Sequence, residues 1–172
     1  AEISKFWFGL PDAPTLLEWL GPIASEWEEF QFENCRLAAR HIFDLDCNWK
    51  IAMEANTEVY HVRSIHKQSL APLLDDRRNV NTLYPNGHGR MVAPTPEGKA
   101  TLDIMPVSPD IAEIDTVGEI ARTCTQSYGL FPNFVSPLSQ WLLPPILFWP
   151  NGKDKCRMET WTMAPQWKEG LK

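Results

Sequence analysis

A chain of 172 residues, 44% hydrophobic and 22% charged, has the size and composition of one ordinary globular domain able to bury a real core. Its net charge of −6 supplies no basic surface, which excludes nucleic acid and anionic membranes as partners. The opening AEISKFWFGL lacks both the basic region and the unbroken apolar run of a secretory signal, and the most apolar stretch, WLLPPILFWP at 141–150, is too short and too rich in proline to span a bilayer. Cys35, Cys47, Cys124 and Cys156 form no CxxC pair, which rules out the common zinc and redox spacings and points to a reduced, cytoplasmic setting.

In chain order, PDAPT (11–15) reads as a turn into a helix, with Asp12 or Thr15 able to cap its first N–H groups. Leu17, Leu20, Ile23, Trp27 and Phe30 recur at helical spacing, with Gly21-Pro22 interrupting the helix in its middle. From Phe32 to Cys47 the period falls to two, placing Ala39, His41, Phe43, Leu45 and Cys47 on one side of a strand or of two short ones. Asn48 to about His61 returns to helical spacing through Trp49, Met53, Asn56 and Tyr60. LYPNGHGRMV (83–92) carries the Asn86-Gly87 signal of a hairpin. Asp110 to Gly129 reads as a further helix; FVSPLSQWLL and RMETWTMAP read as strands, with the turn PNGKD between them. Helices and strands alternate without a βαβ rhythm, so an α+β fold with an antiparallel sheet is predicted.

EANTEVYHVRSIH (54–66) concentrates the chemistry. On a helix Glu54, Glu58 and His61 share a face, but His61 and His66, five apart, point roughly 140° away from each other. The two imidazoles converge on one ion only if the helix ends or distorts between them, and Val62, Ser64 and Ile65 are modest helix formers that allow an exit there. Taken blindly, HxxxxH is more often two unrelated histidines near a helix end. The spacing excludes HExxH zinc chemistry, and no second ExxH pair exists to build a di-iron carboxylate site. What remains is a mononuclear iron(II) centre of two histidines and one carboxylate, with open positions for dioxygen. A structural zinc site would need four protein ligands, and the only further histidines are His41 on a strand and His88 in a hairpin turn.

The whole phrase NWKIAMEANTEVYHVRSIH resembles the NWK…E…E-x-Y-H-x-x-x-x-H signature of the catalytic domain of Rieske non-haem iron oxygenases, the ring-hydroxylating oxygenase large subunits. FWFGLPDAPTLLEWLGP is similar to that family's exit from the Rieske domain, which divides the chain into a domain end and linker at 1–14 and a partial catalytic domain at 15–172. YGLFPNF and LFWPNGKDKCRMETWTMAP are similar to its sheet around the substrate pocket. The resemblance implies a helix-grip fold of the Bet v1/START type with a curved antiparallel sheet. It implies His61 and His66 as iron ligands, and Glu58 as the acidic residue linking the iron site to a Rieske cluster on a neighbouring subunit. Tyr60 and Trp49 are expected as packing residues and Glu54 as a solvated one. Phe131, Phe134, Trp141, Leu143 and Phe148 are candidates for the substrate pocket or, equally, for ordinary core.

Two parts of the family pattern are missing. No cysteine is followed by the C-x-H or C-x-x-H histidine that a Rieske [2Fe–2S] cluster requires. The family's third iron ligand is an aspartate on a downstream helix, and none of Asp103, Asp110, Asp115 and Asp154 stands in a matching context. The chain is therefore expected to be an incomplete catalytic domain, weak in iron binding and inactive by itself. The full-length protein is expected to carry both the mononuclear iron and the [2Fe–2S] cluster and to take electrons from a ferredoxin or reductase. It is expected to assemble as a homotrimer or α3β3 and to oxidise a small apolar, aromatic substrate with dioxygen. The competing reading is a non-catalytic apolar-ligand-binding domain of the same fold, in which the imidazoles would be splayed. Neither the substrate nor the choice between mono- and dioxygenation is legible in the residues.

Overall fold

Thr15 starts the first helix by a reciprocal exchange: its hydroxyl accepts from the Glu18 N–H at 3.2 Å while the Glu18 carboxylate accepts the Thr15 N–H at 2.7 Å. In a computed structural model, which describes residues 13–104 and 112–165, this capping box opens α1 (Leu16–Leu20). Gly21 then takes a left-handed φ of 56°, and Pro22 begins α2 (Pro22–Trp27), so the predicted interruption divides the apolar stripe into two short helices. Ile23 and Phe30 from that stripe are fully buried, whereas Leu17 stays 68% exposed.

The period-two stretch forms one long strand, β1 (Arg36–Leu45). Asn48 caps α3 (Trp49–Glu54), its side chain accepting from the Lys50 N–H at 3.0 Å. The predicted hairpin is β2 (Val80–Leu83) and β3 (Gly89–Pro94), turning through Asn86 and Gly87 with positive φ at both. Two short helices follow, α4 (Thr101–Ile104) and α5 (Glu119–Thr123), and then β4 (Cys124–Leu130), β5 (Phe134–Leu138), β6 (Ile146–Pro150) and β7 (Cys156–Ala164). The described strands make one antiparallel sheet of seven in the order β1-β7-β6-β5-β4-β3-β2, open at β1 and β2. The fold is thus α+β, with an open antiparallel sheet.

Two helix expectations need correction. The helix read from Asn48 to His61 stops at Glu54. Of the helix read over 110–129, residues 110–111 lie outside the described residues, only Glu119–Thr123 is α-helical, and Cys124–Leu130 is a strand. That strand is paired on both sides, to β3 and β5, so sheet pairing outweighs its weak local preference.

Register assigns the two faces of the sheet. Tyr128 lies opposite Ser136 and Gln126 opposite Leu138, so these share the face that α2 covers. Ile23, Phe30, Ile114, Val117, Ala121, Tyr128, Leu138 and Leu143 make the larger core there. The other face presents Met91 and Ala93, which form a second, smaller core with Val59, Val62 and Leu74 from the histidine-bearing segment. Ser127 fixes that segment to the sheet by donating its hydroxyl to the Asn56 carbonyl at 2.8 Å.

Candidate metal centre

The histidine segment leaves the helix because its side chains take over the terminal carbonyls. Asn56 Nδ2 donates to the Ala52 carbonyl at 2.9 Å in place of the backbone N–H a longer helix would supply, and Thr57 bonds the Glu54 carbonyl with both its N–H (2.9 Å) and its Oγ1 (3.0 Å), tightening the last turn. Residues 55–70 then run as successive turns, held by bonds such as Ile65 N–H to the His61 carbonyl (2.8 Å) and His66 N–H to the Val62 carbonyl (3.0 Å). Buried Val59 and Val62 anchor the turns to Met91 and Ala93. The divergence of about 140° that a regular helix imposes therefore does not arise.

His61 and His66 meet with ring centroids 5.2 Å apart and planes at 74°. The Glu58 carboxylate contacts His61 Nδ1 with one oxygen and accepts the Tyr60 and His61 backbone N–H groups with the other, the latter at 3.3 Å. It reaches His61 and not His66, whose Nδ1 lies 3.5 Å from Ser69 Oγ. Both rings thus have Nδ1 engaged, which leaves Nε2 as the ring nitrogen available to a ligand. The side chains of His61 and Glu58 are 22% and 27% exposed, so the pair is partly shielded but open to a ligand. Two imidazoles so oriented are a donor set suited to ferrous iron or another borderline cation. Among the described residues no third histidine, cysteine or carboxylate completes a metal-holding group with them.

The remaining predicted residues are spread. Tyr60, expected to pack, is 83% exposed, because the turn that brings Glu58 to His61 aims residue 60 outward. Glu54 is exposed, as expected of a solvated residue. Phe134 packs on Trp27, ring centroids 6.1 Å apart, and Leu143 sits in the larger core, both under the N-terminal helices. Phe148 is fully buried and, by register with Met158, shares the histidine-bearing face. Trp141 is half-buried, and Phe131 is 52% exposed against Gly87. Among the described residues these five are spread over both faces of the sheet, Phe134 on one and Phe148 on the other.

A cavity of about 290 Å³ does open between the histidine segment and β2–β4, lined by Met53, Thr57, Leu83 and Met91 over the glycine backbone of residues 89 and 129. Gly129 matters sterically: a methyl group there would come within 3.0 Å of Thr57 Cγ2. Periodicity marks Met53 only as a helix residue and gives no reason to select the glycines, since their role lies in a close approach across the fold.

The chain matches the family model described as the ring hydroxylating alpha subunit (catalytic domain) over residues 32–169. No curated protein matches it in sequence. Solved structures similar to it include a quaternary ammonium Rieske monooxygenase, at 13% identity and a TM-score of 0.70, with 94% of this chain and 40% of that one covered. Naphthalene 1,2-dioxygenase from Rhodococcus sp. bound to indole is similar at 16% identity and a TM-score of 0.66, covering 95% and 43%. Another naphthalene 1,2-dioxygenase with indole in its active site matches at 17% and 0.67, covering 94% and 42%. The chain spans about two-fifths of the length of these structures, and at such identities the likeness establishes the fold.

Proposed function

From the premise that this chain belongs to the ring-hydroxylating alpha-subunit catalytic-domain family, we propose that it forms the iron-binding part of an oxygenase that inserts oxygen from dioxygen into a small apolar, aromatic substrate. His61 and His66 are the protein ligands to a mononuclear iron(II) that this part of the chain contributes. The observation that supports the reading most is the pair of converging imidazoles, each with Nδ1 engaged and Nε2 left for a metal. Splayed rings would have favoured a passive ligand-binding domain.

Ferrous iron, when bound, supplies the redox chemistry that activates dioxygen. The chain's own residues prepare the site for it. Glu58 accepts the hydrogen of His61 Nδ1, which fixes the tautomer and makes Nε2 the more basic donor. Because Glu58 also holds two backbone N–H groups, the carboxylate, the turn and the ring move as one unit. Met53, Leu83 and Met91 present an apolar lining to the substrate. The third ligand is a carboxylate from outside the described residues. Electrons arrive from a ferredoxin or reductase through a Rieske [2Fe–2S] cluster of the full-length, multimeric, cytoplasmic protein, with Glu58 placed on the route between cluster and iron.

The reading is tested with full-length protein, an electron donor and a panel of aromatic compounds under isotopically labelled dioxygen. At least one compound is expected to stimulate oxygen uptake and to emerge carrying the label. Uptake that no compound stimulates, or products without label, would overturn the reading.

A further inference from the structure

Away from the histidines, two cysteines that no zinc or redox spacing connects in sequence are neighbours in the fold. Cys47 lies in the bend between β1 and α3, and Cys156 opens β7. Three contacts bracket them. Leu45 pairs directly with Cys156 across the β1–β7 ladder. Lys155 Nζ reaches Asp46 Oδ1 at 3.3 Å. Asn48 Nδ2 donates to the Lys153 carbonyl at 2.7 Å. The chain on either side of Cys47 is thereby tied to the chain leading into Cys156, which makes the two thiols neighbours.

The two sulfurs differ in a way that orders their chemistry. Cys156 is 1% exposed, and burial, reinforced by the neighbouring Cys47, pushes its thiol upward in pKa. Cys47 is only half-buried, so it is the sulfur that a dissolved oxidant meets first. Its immediate neighbour is the one group needed to complete a bond.

We propose that Cys47 and Cys156 form a reversible disulfide when the protein meets a peroxide oxidant, stapling the bend that leads into α3 to the start of β7. In the first step Cys47 Sγ takes one oxygen from hydrogen peroxide, becoming a sulfenic acid and releasing the other oxygen as water. In the second, Cys156 Sγ attacks Cys47 Sγ; the sulfur–oxygen bond breaks, and the hydroxyl leaves as a second water with the Cys156 proton. The peroxide gains two electrons, and the two thiols lose them. The bond bridges the entrance of α3, the helix that precedes the turns bearing Glu58 and His61, so oxidation stiffens the approach to the histidine segment from outside it.

The test treats purified full-length protein with hydrogen peroxide, blocks remaining thiols by alkylation and maps the peptides by mass spectrometry. A Cys47–Cys156 cross-link is expected that dithiothreitol removes and that Cys47→Ser lacks. The same link should persist in a Cys35→Ser, Cys124→Ser double variant. Closing a loop on the order of 100 residues, the cross-link should also raise Tm by roughly 5–15 °C over the reduced form. Alkylation of both Cys47 and Cys156 after peroxide treatment would overturn the proposal. So would a cross-linked form that melts no higher than the reduced one.

Discussion

His88 joins three separate parts of the chain with two ring nitrogens. Its Nδ1 accepts the Phe131 N–H at 3.1 Å, so Nε2 carries the hydrogen that the Trp19 carbonyl receives at 2.9 Å, and the Trp19 ring meets the imidazole edge-on at 5.4 Å. His88→Ala leaves the Phe131 N–H without its partner in a site that is 2% exposed, while the Trp19 carbonyl keeps Asn86 Nδ2 at 2.8 Å, at a cost of about 1–3 kcal/mol by urea denaturation. Unchanged iron binding in that variant would separate this latch from the metal centre. Glu58→Gln carries the opposite signature: little change in stability, and iron(II) affinity of the full-length protein lowered on the order of 10-fold, measured by anaerobic titration. At this scale the sequence motif identifies Glu58, His61 and His66, but helical geometry alone sets the histidines apart. What brings them together is the end of the helix at Glu54, where Asn56 Nδ2 bonds the Ala52 carbonyl and Thr57 closes on the Glu54 carbonyl, which no periodicity reveals. The sequence leaves the aromatic candidates equally open as pocket or core, because bulk and hydropathy indicate burial, not which face of a sheet is buried.

Among the elements, α2 and the sheet are locked by a polar cluster on the face opposite the histidines. Glu26 accepts from Tyr84 Oη at 2.7 Å, from Tyr128 Oη at 2.9 Å and from Arg90 Nη1 at 2.9 Å. Burial, followed by the Glu26 hydrogen bond, pushes the Tyr84 hydroxyl up to about 12, and burial drives Tyr128 upward as well. A raised folded-state pKa gives stability that is complete below the unfolded value near 10 and is lost as pH climbs through the folded value. The urea midpoint is therefore expected to fall between about pH 10 and about pH 12, and less steeply in Tyr84→Phe. At the first helix, Thr15→Ala removes the capping box and costs about 1 kcal/mol by the same measurement. The elements legible in sequence are those with a strong local signal: the capped helix start, the Gly21-Pro22 break, the period-two β1 and the Asn86-Gly87 hairpin. β4 is hidden because CTQSYGL has little preference of its own and is a strand by virtue of its neighbours on both sides.

The sheet as a whole gives its two faces different tasks. One is filled by the N-terminal helices and the larger core, and supports; the other carries the histidine turns, the second core and the glycine-floored cavity. This division explains why Gly129 lies directly beneath Thr57: the segment bearing the histidines must approach the sheet backbone closely to stay in register with it. The described helices include none long and apolar enough to cross a membrane. The α+β class could be read from the order of elements, whereas the apposition of the two faces depends on pairings between residues more than a hundred positions apart, such as His41 with Thr160. The measurement that bears most directly on the account is the iron content of full-length protein beside that of its His61→Ala and His66→Ala variants, with the [2Fe–2S] absorbance recorded on each. The account predicts that each variant loses the mononuclear iron while keeping both the cluster spectrum and the folded state. Variants that retain the full iron content would contradict it.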